Sequence, residues 1–137
     1  MTEVKLNNKF TLHDKYTLLE GRIILSGIQA LVRLLLDQNR ADLIKGLNTG
    51  TLVSGYRGSP VGMLDINLIR NKKLIDQHNI KFIPGVNEDL GATLIYGSQM
   101  AGMVSNVKYD GVMGMWYGKA PGVDRSGDIF RHANFLG

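Results

Sequence analysis

The stretch "TLVSGYRGSPVGMLDINLIRNKKLIDQHNIKFIPGVNEDL" (Thr51–Leu90) decides the fold. It opens on "TLVSG" (Thr51–Gly55), a β-branched and apolar run bounded by glycines, which reads as a buried parallel strand. "YRGSP" is a loop. "VGMLDINLIRNKKLIDQ" (Val61–Gln77) keeps Val61, Leu64, Leu68 and Ile75 on one helical face, and Pro60 suits its first turn. "IKFIP" (Ile80–Pro84) is a second strand. Strand, helix, strand at this spacing predicts a right-handed crossover and a parallel sheet.

The flanks repeat the pattern. Upstream, "SGIQALVRLLLDQ" (Ser26–Gln38) spaces Ile28, Leu31, Val32 and Leu35 for a helix with one buried face, Ser26 as its N-cap, and Gly46 and Gly50 as stop signals. Downstream, "NEDLGATLIYGSQMAGMVS" (Asn87–Ser105) is a helix with Leu90, Leu94, Gly97, Ala101 and Val104 on one side. "GVMGMWYG" (Gly111–Gly118) is a third strand and "KAPGVDRSG" (Lys119–Gly127) a charged loop. "DIFRHANFLG" begins a last helix, with Ser126 as its possible N-cap. Residues 1–21 are polar and read as an irregular arm; residues 22–137 read as one α/β domain with helices on both faces of the sheet. Three strands and a barely started last helix lead us to expect a piece of a longer protein.

Composition narrows the chemistry. The hydrophobic fraction is 44% and the charged fraction 20%, as in ordinary globular domains. Cysteine is absent, which excludes a disulfide framework, a thiolate nucleophile and a cysteine-held metal or cluster in this chain. No run approaches the roughly 18 apolar residues of a membrane span, and the N-terminus lacks a secretory apolar region. A cytoplasmic protein is expected, with no membrane contact. The net charge of +4 is dispersed, which argues against nucleic-acid binding.

In open parallel sheets, ligands bind beyond the carboxyl ends of the strands. The loops there carry Arg57, Ser59, Asn87, Glu88, Lys119, Asp124 and Arg125. Competing motifs are poor. "GMWYGKA" is one residue short of a phosphate-binding loop and has Ala120 where Ser or Thr would meet magnesium. No G-x-G-x-x-G follows a strand, and "GSPVG" puts Ser59 in the wrong place for a nucleophile elbow. His13, His78 and His132 show no ligand spacing. Methionines 100, 103, 113 and 115 suit core packing. Local chemistry leaves two roles open for Glu88: an acid favoured by a helix N-terminus, or a carboxylate in a site. It likewise leaves Arg125 open between a ligand and its neighbours Asp124 and Asp128.

"LNTGTLVSGYRGSPVGMLD", "FIPGVNEDLGAT", "YGSQ" and "GVMGMWYGKAPGVDRSGDIFRHAN" together resemble the N-terminal part of the long, fused indolepyruvate ferredoxin oxidoreductases of the 2-oxoacid:ferredoxin oxidoreductase family. The resemblance runs from about Tyr16 to Gly137. It implies a thiamin diphosphate enzyme, of which this segment is the Rossmann-like pyrimidine-binding domain. In that family a glutamate activates the cofactor through its pyrimidine ring, and Glu88 in "GVNED" matches it. The resemblance places Tyr56, Ser59 and Pro60 beside the cofactor. It offers Arg57 and Ser59 for the substrate, with Lys119 and Arg125 as further carboxylate partners. Magnesium and the iron–sulfur clusters belong to other domains, since Gly-Asp-Gly and cysteine are both missing here. This chain is therefore expected to hold half a site, to be inactive alone and to pair with the remaining domains or subunits, as a dimer. Ferredoxin and coenzyme A serve the whole enzyme. A non-catalytic assembly module and a mononucleotide-binding flavodoxin-like domain are the alternatives.

Overall fold

A computed structural model of the chain describes residues 9–58 and 61–136. Its elements are α1 (Asp14–Thr17), α2 (Gly27–Ile44), β1 (Thr49–Gly55), α3 (Leu64–Arg70), α4 (Lys72–Gln77), β2 (Ile80–Phe82), α5 (Glu88–Gln99), a 3-10 turn (Met100–Met103), β3 (Gly111–Tyr117), α6 (Ala120–Arg125) and α7 (Gly127–Leu136). The strands form a parallel sheet in the order β2-β1-β3. Thr51 pairs with Ile80 on one side and with Met113 on the other. The expected α/β class, the central strand and the crossovers are all present. Among the described residues, no helix is long and apolar enough to cross a membrane.

One face of the sheet is covered by α2, α3 and α4. The Ser26 capping box starts α2: Ser26 Oγ accepts from Gln29 N–H, and Gln29 Oε1 accepts from Ser26 N–H at 3.0 Å. The helix outruns its expected end at Gln38 and stops before Gly46, whose φ of 78° suits glycine. Val32, Leu35 and Leu36 of α2 meet Val53, Leu64, Leu68, Ile75 and Ile80 in the aliphatic core. Such side chains contribute roughly 1.5–3 kcal/mol each on full burial.

Part of the stretch expected to be an irregular arm belongs to this layer, because α1 packs on α2. Within it, α1 puts Tyr16 into the core at 3% exposure. Arg33 donates to the carbonyls of Lys15 (2.9 Å) and Leu18 (2.6 Å), and Arg40 to that of Tyr16 (2.7 Å). Asp37 bridges both guanidiniums. Burial pushes the Asp37 carboxyl up, but the hydrogen bonds from Arg33 and Arg40 outweigh it and hold the group below its ordinary value.

Other expectations need correction. Val61–Gln77 is two helices, broken at Asn71. Its side chain donates to the Asn67 carbonyl (2.8 Å), and that of Asn67 donates to Met63 (2.8 Å). Such local bonds compete with the helical ladder. The second strand is regular only to Phe82, although Ile83 N–H still donates to Val53 O at 3.0 Å and Gly85 N–H to Gly55 O at 2.9 Å. "KAPGVDRSG" is no loop throughout, since it contains α6 with Pro121 in its first turn. The stripe expected to be buried on α5 is rotated: Leu90, Gly97 and Val104 are exposed, and Gly91 and Ala92 face the sheet instead.

This second face is closely spaced. A Cβ on Gly91 would lie 3.3 Å from Ser54 Oγ and 3.5 Å from Trp116 Nε1. A bare Cα there lets α5 approach β1 and β3. α7 packs on α5, and its Phe130 meets Trp116 edge to face at 5.0 Å.

Candidate functional site

The carboxyl ends of the strands come together as one surface. Gly85 N–H donates to Gly55 O at 2.9 Å, and Tyr56 bridges Gly85, so the loops after β1 and β2 run side by side. The loop after β3 leads into α6, which packs on α5. Ser59 and Pro60 lie outside the described residues.

Glu88 is the first residue of α5. Asn87 extends ahead of it as N-cap and accepts from Leu90 N–H at 2.8 Å. The helix start therefore fixes where Glu88 begins, as the local reading requires. Yet Glu88 does not lie in solvent as an ordinary first-turn acid would: it is 8% exposed. Its backbone carbonyl accepts from Trp116 Nε1 at 3.2 Å. Its side chain lies against Gly122 of α6, where an added Cβ would collide with Glu88 Cγ. Among the described residues its carboxylate makes no hydrogen bond and no ion pair. Its oxygens are not among the fully buried side-chain atoms that lack a partner, so they keep access to the surface and can meet an external group.

Exposed aliphatic side chains occur nearby along the chain. Val86, two residues before Glu88, is 80% exposed; Leu90, two after, is 53% exposed; Val123, next to Gly122, is 44% exposed. These side chains are near Glu88 or Gly122 in sequence, and Leu90, two residues on in α5, points away from Glu88 across the helix.

The remaining expected site residues divide. Tyr56 is exposed at this edge, its ring over Gly58. Lys119 is exposed and precedes α6 without a side-chain cap bond. Arg125 pairs with neither Asp124 nor Asp128; its Nη2 binds Asp89 Oδ2 at 2.9 Å. Asp89 is thus engaged. Arg57 turns to Asp65 at 3.6 Å and lines a cleft of about 240 Å³ floored by Leu68, Ile75 and Phe82. Glu88 does not line that cleft.

Two further groups escaped the sequence reading. Ser54 Oγ and Tyr117 Oη are buried without partners on the last turns of β1 and β3. Burial first, then the nearby Asp65 carboxylate, pushes the Tyr117 phenol up to about 12, with Arg57 opposing. A serine inside the apolar run "TLVSG" was the visible signal for Ser54. Among the described residues, no cluster of His, Asp and Glu could hold a metal ion.

No family model, no curated protein and no solved structure matches this chain.

Proposed function

We propose that this chain supplies the pyrimidine-binding half of a thiamin diphosphate site. In this reading it is the N-terminal part of an indolepyruvate-type 2-oxoacid:ferredoxin oxidoreductase, which converts aryl 2-oxo acids to acyl-CoA. The observation that carries the reading is the largely buried Glu88 side chain at the carboxyl edge of the sheet, whose carboxylate reaches the surface without a hydrogen bond or ion pair among the described residues. A carboxylate held there suits a ring nitrogen that must share a proton away from water. The group fits: a pyrimidine ring nitrogen carries a lone pair that a carboxyl O–H can meet, and Gly122 leaves the side chain room.

When bound, thiamin diphosphate acts as the electron sink for decarboxylation. The part of this chain is narrower. Glu88 holds a proton at its carboxyl oxygen. The resemblance assigns Tyr56, Ser59 and Pro60 to cofactor contact, and Lys119 with Ser59 to the substrate. Arg57 is retained as a carboxylate partner only if its bond to Asp65 is exchanged, and Arg125 only if it leaves Asp89. Magnesium, the diphosphate, the iron–sulfur clusters and the contacts to ferredoxin and coenzyme A fall to other domains. The exposed Val86 and Val123 suit a partner domain closing over Glu88. They suit a non-catalytic assembly module equally well, but such a module has no use for the buried acid.

The test is reconstitution. The remaining domains are supplied, and indolepyruvate-dependent ferredoxin reduction is measured with Glu88→Gln. A fall of at least about 100-fold is expected for a lost acid–base group. Near-normal activity would sink the role given to Glu88.

A further inference from the structure

We propose that Asp89, Arg125 and Gly122 are positioning residues for Glu88. The Asp89–Arg125 pair latches α6 onto the first turn of α5, and Gly122 on that helix confines the Glu88 side chain.

The geometry is local and directional. Gly122 and Arg125 are three residues apart on α6, hence on one face of it. Glu88 and Asp89 are consecutive in the first turn of α5. Gly122 meets Glu88, and Arg125 meets Asp89 at 2.9 Å. Ser126, fully buried, adds a second tie: its Oγ donates to Asp89 Oδ1 at 3.4 Å. At six residues, α6 is too short to hold its place by helical propensity, so these tertiary contacts set it. From the other side, Trp116 fixes the Glu88 backbone. The two adjacent acids thus divide their work. Glu88 is kept free of partners, and Asp89 is spent on the latch.

The pair is partly exposed, 60% at Arg125 and 31% at Asp89. Such pairs are weak and salt-sensitive, so the latch can yield when a ligand or a covering domain arrives. Its functional meaning rests on Glu88 being the working carboxylate; the latch itself does not.

The experiment is therefore run without turnover. In the 137-residue chain, carbodiimide-driven amidation with an added small amine labels accessible carboxyls, and peptide mass spectrometry reads the rate at Glu88. Arg125→Gln and Asp89→Asn are expected to raise that rate about two- to fivefold, the range an exposed ion pair can supply. Arg125→Lys keeps the charge and should hold the parent rate, as should Asp124→Asn, a neighbouring acid outside the latch. Trp116 is the only tryptophan, so its quenching by neutral acrylamide reports the same corner and should rise with the labelling. An unchanged Glu88 rate in Arg125→Gln and Asp89→Asn overturns the latch. So does a rate in Arg125→Lys as high as in Arg125→Gln. Failure of the latch leaves the reconstitution result with Glu88→Gln untouched, and the converse holds.

Discussion

The two faces of the sheet are built from opposite materials. Toward α2 and α3 the contacts are large aliphatic side chains, among them Val32, Leu35, Leu36, Val53, Leu64 and Leu68, all at 0% exposure. Toward α5 the closest approaches are made at small or polar residues, Ser54, Gly91, Ala92 and Gly114, with Ile95 and Trp116 packed against the glycines. The first face buries apolar area and supplies stability. The second spends little area and brings backbones close, so that α5 starts where Glu88 meets Trp116 and Gly122. One face holds the domain together and the other sets the geometry of its edge.

That division can be broken most forcefully on the aliphatic side. Leu68→Ala should cost about 2–5 kcal/mol in denaturant unfolding, the cost of a cavity in a packed core. A loss no greater than for a surface substitution would refute the assignment of stability to this face. On the close-packed side, Gly91→Val should cost about 1–3 kcal/mol by overpacking against Ser54 and Trp116. It should also shift Trp116 fluorescence, which Leu68→Ala leaves alone while the protein stays folded.

A pH effect belongs to the aliphatic side. Burial, and then the charge of Arg40, hold the His78 imidazole below its ordinary value of 6.5. The unfolded chain binds a proton there more readily than the folded one. Stability is therefore full above about pH 6.5 and declines as the pH falls below it. Thermal midpoints between about pH 7 and about pH 5 should fall more in the parent than in His78→Gln. Equal slopes would remove His78 from the account.

The smallest effect separates the two readings of Glu88. A helix-start acid stabilised by the dipole would lose about 0.3–1 kcal/mol in Glu88→Gln. A carboxylate kept free for an external group should instead leave the unfolding midpoint unchanged, because it holds no partner in the folded chain. A clear fall in the midpoint would return Glu88 to the ordinary structural role.

Much of this was legible before the structure. Ser26 and Gln29 announce α2, "TLVSG" announces the central strand, and Gly46 marks a helix end, because each is decided by neighbours in the chain. The placing of Glu88 and Lys119 at one edge followed from topology alone. What was missed depends on distant partners. Tyr16 is buried because Arg33 and Arg40, far along the chain, catch the carbonyls around it. Arg125 looked free to choose among near acids, but its partner is 36 residues away. The break at Asn71 rests on side chains bonding their own backbone, which apolar periodicity does not register.

The sheet also has unequal margins. β2 ends it with three residues and a lysine, Lys81, at the middle, both of which discourage another strand from joining. β3 ends it on the other side with seven residues and no proline, and among the described residues no strand takes its outer row of backbone groups. Growth of the sheet, whether by orderly extension or by unwanted self-association at high concentration, is therefore one-sided: it begins along Gly111–Tyr117.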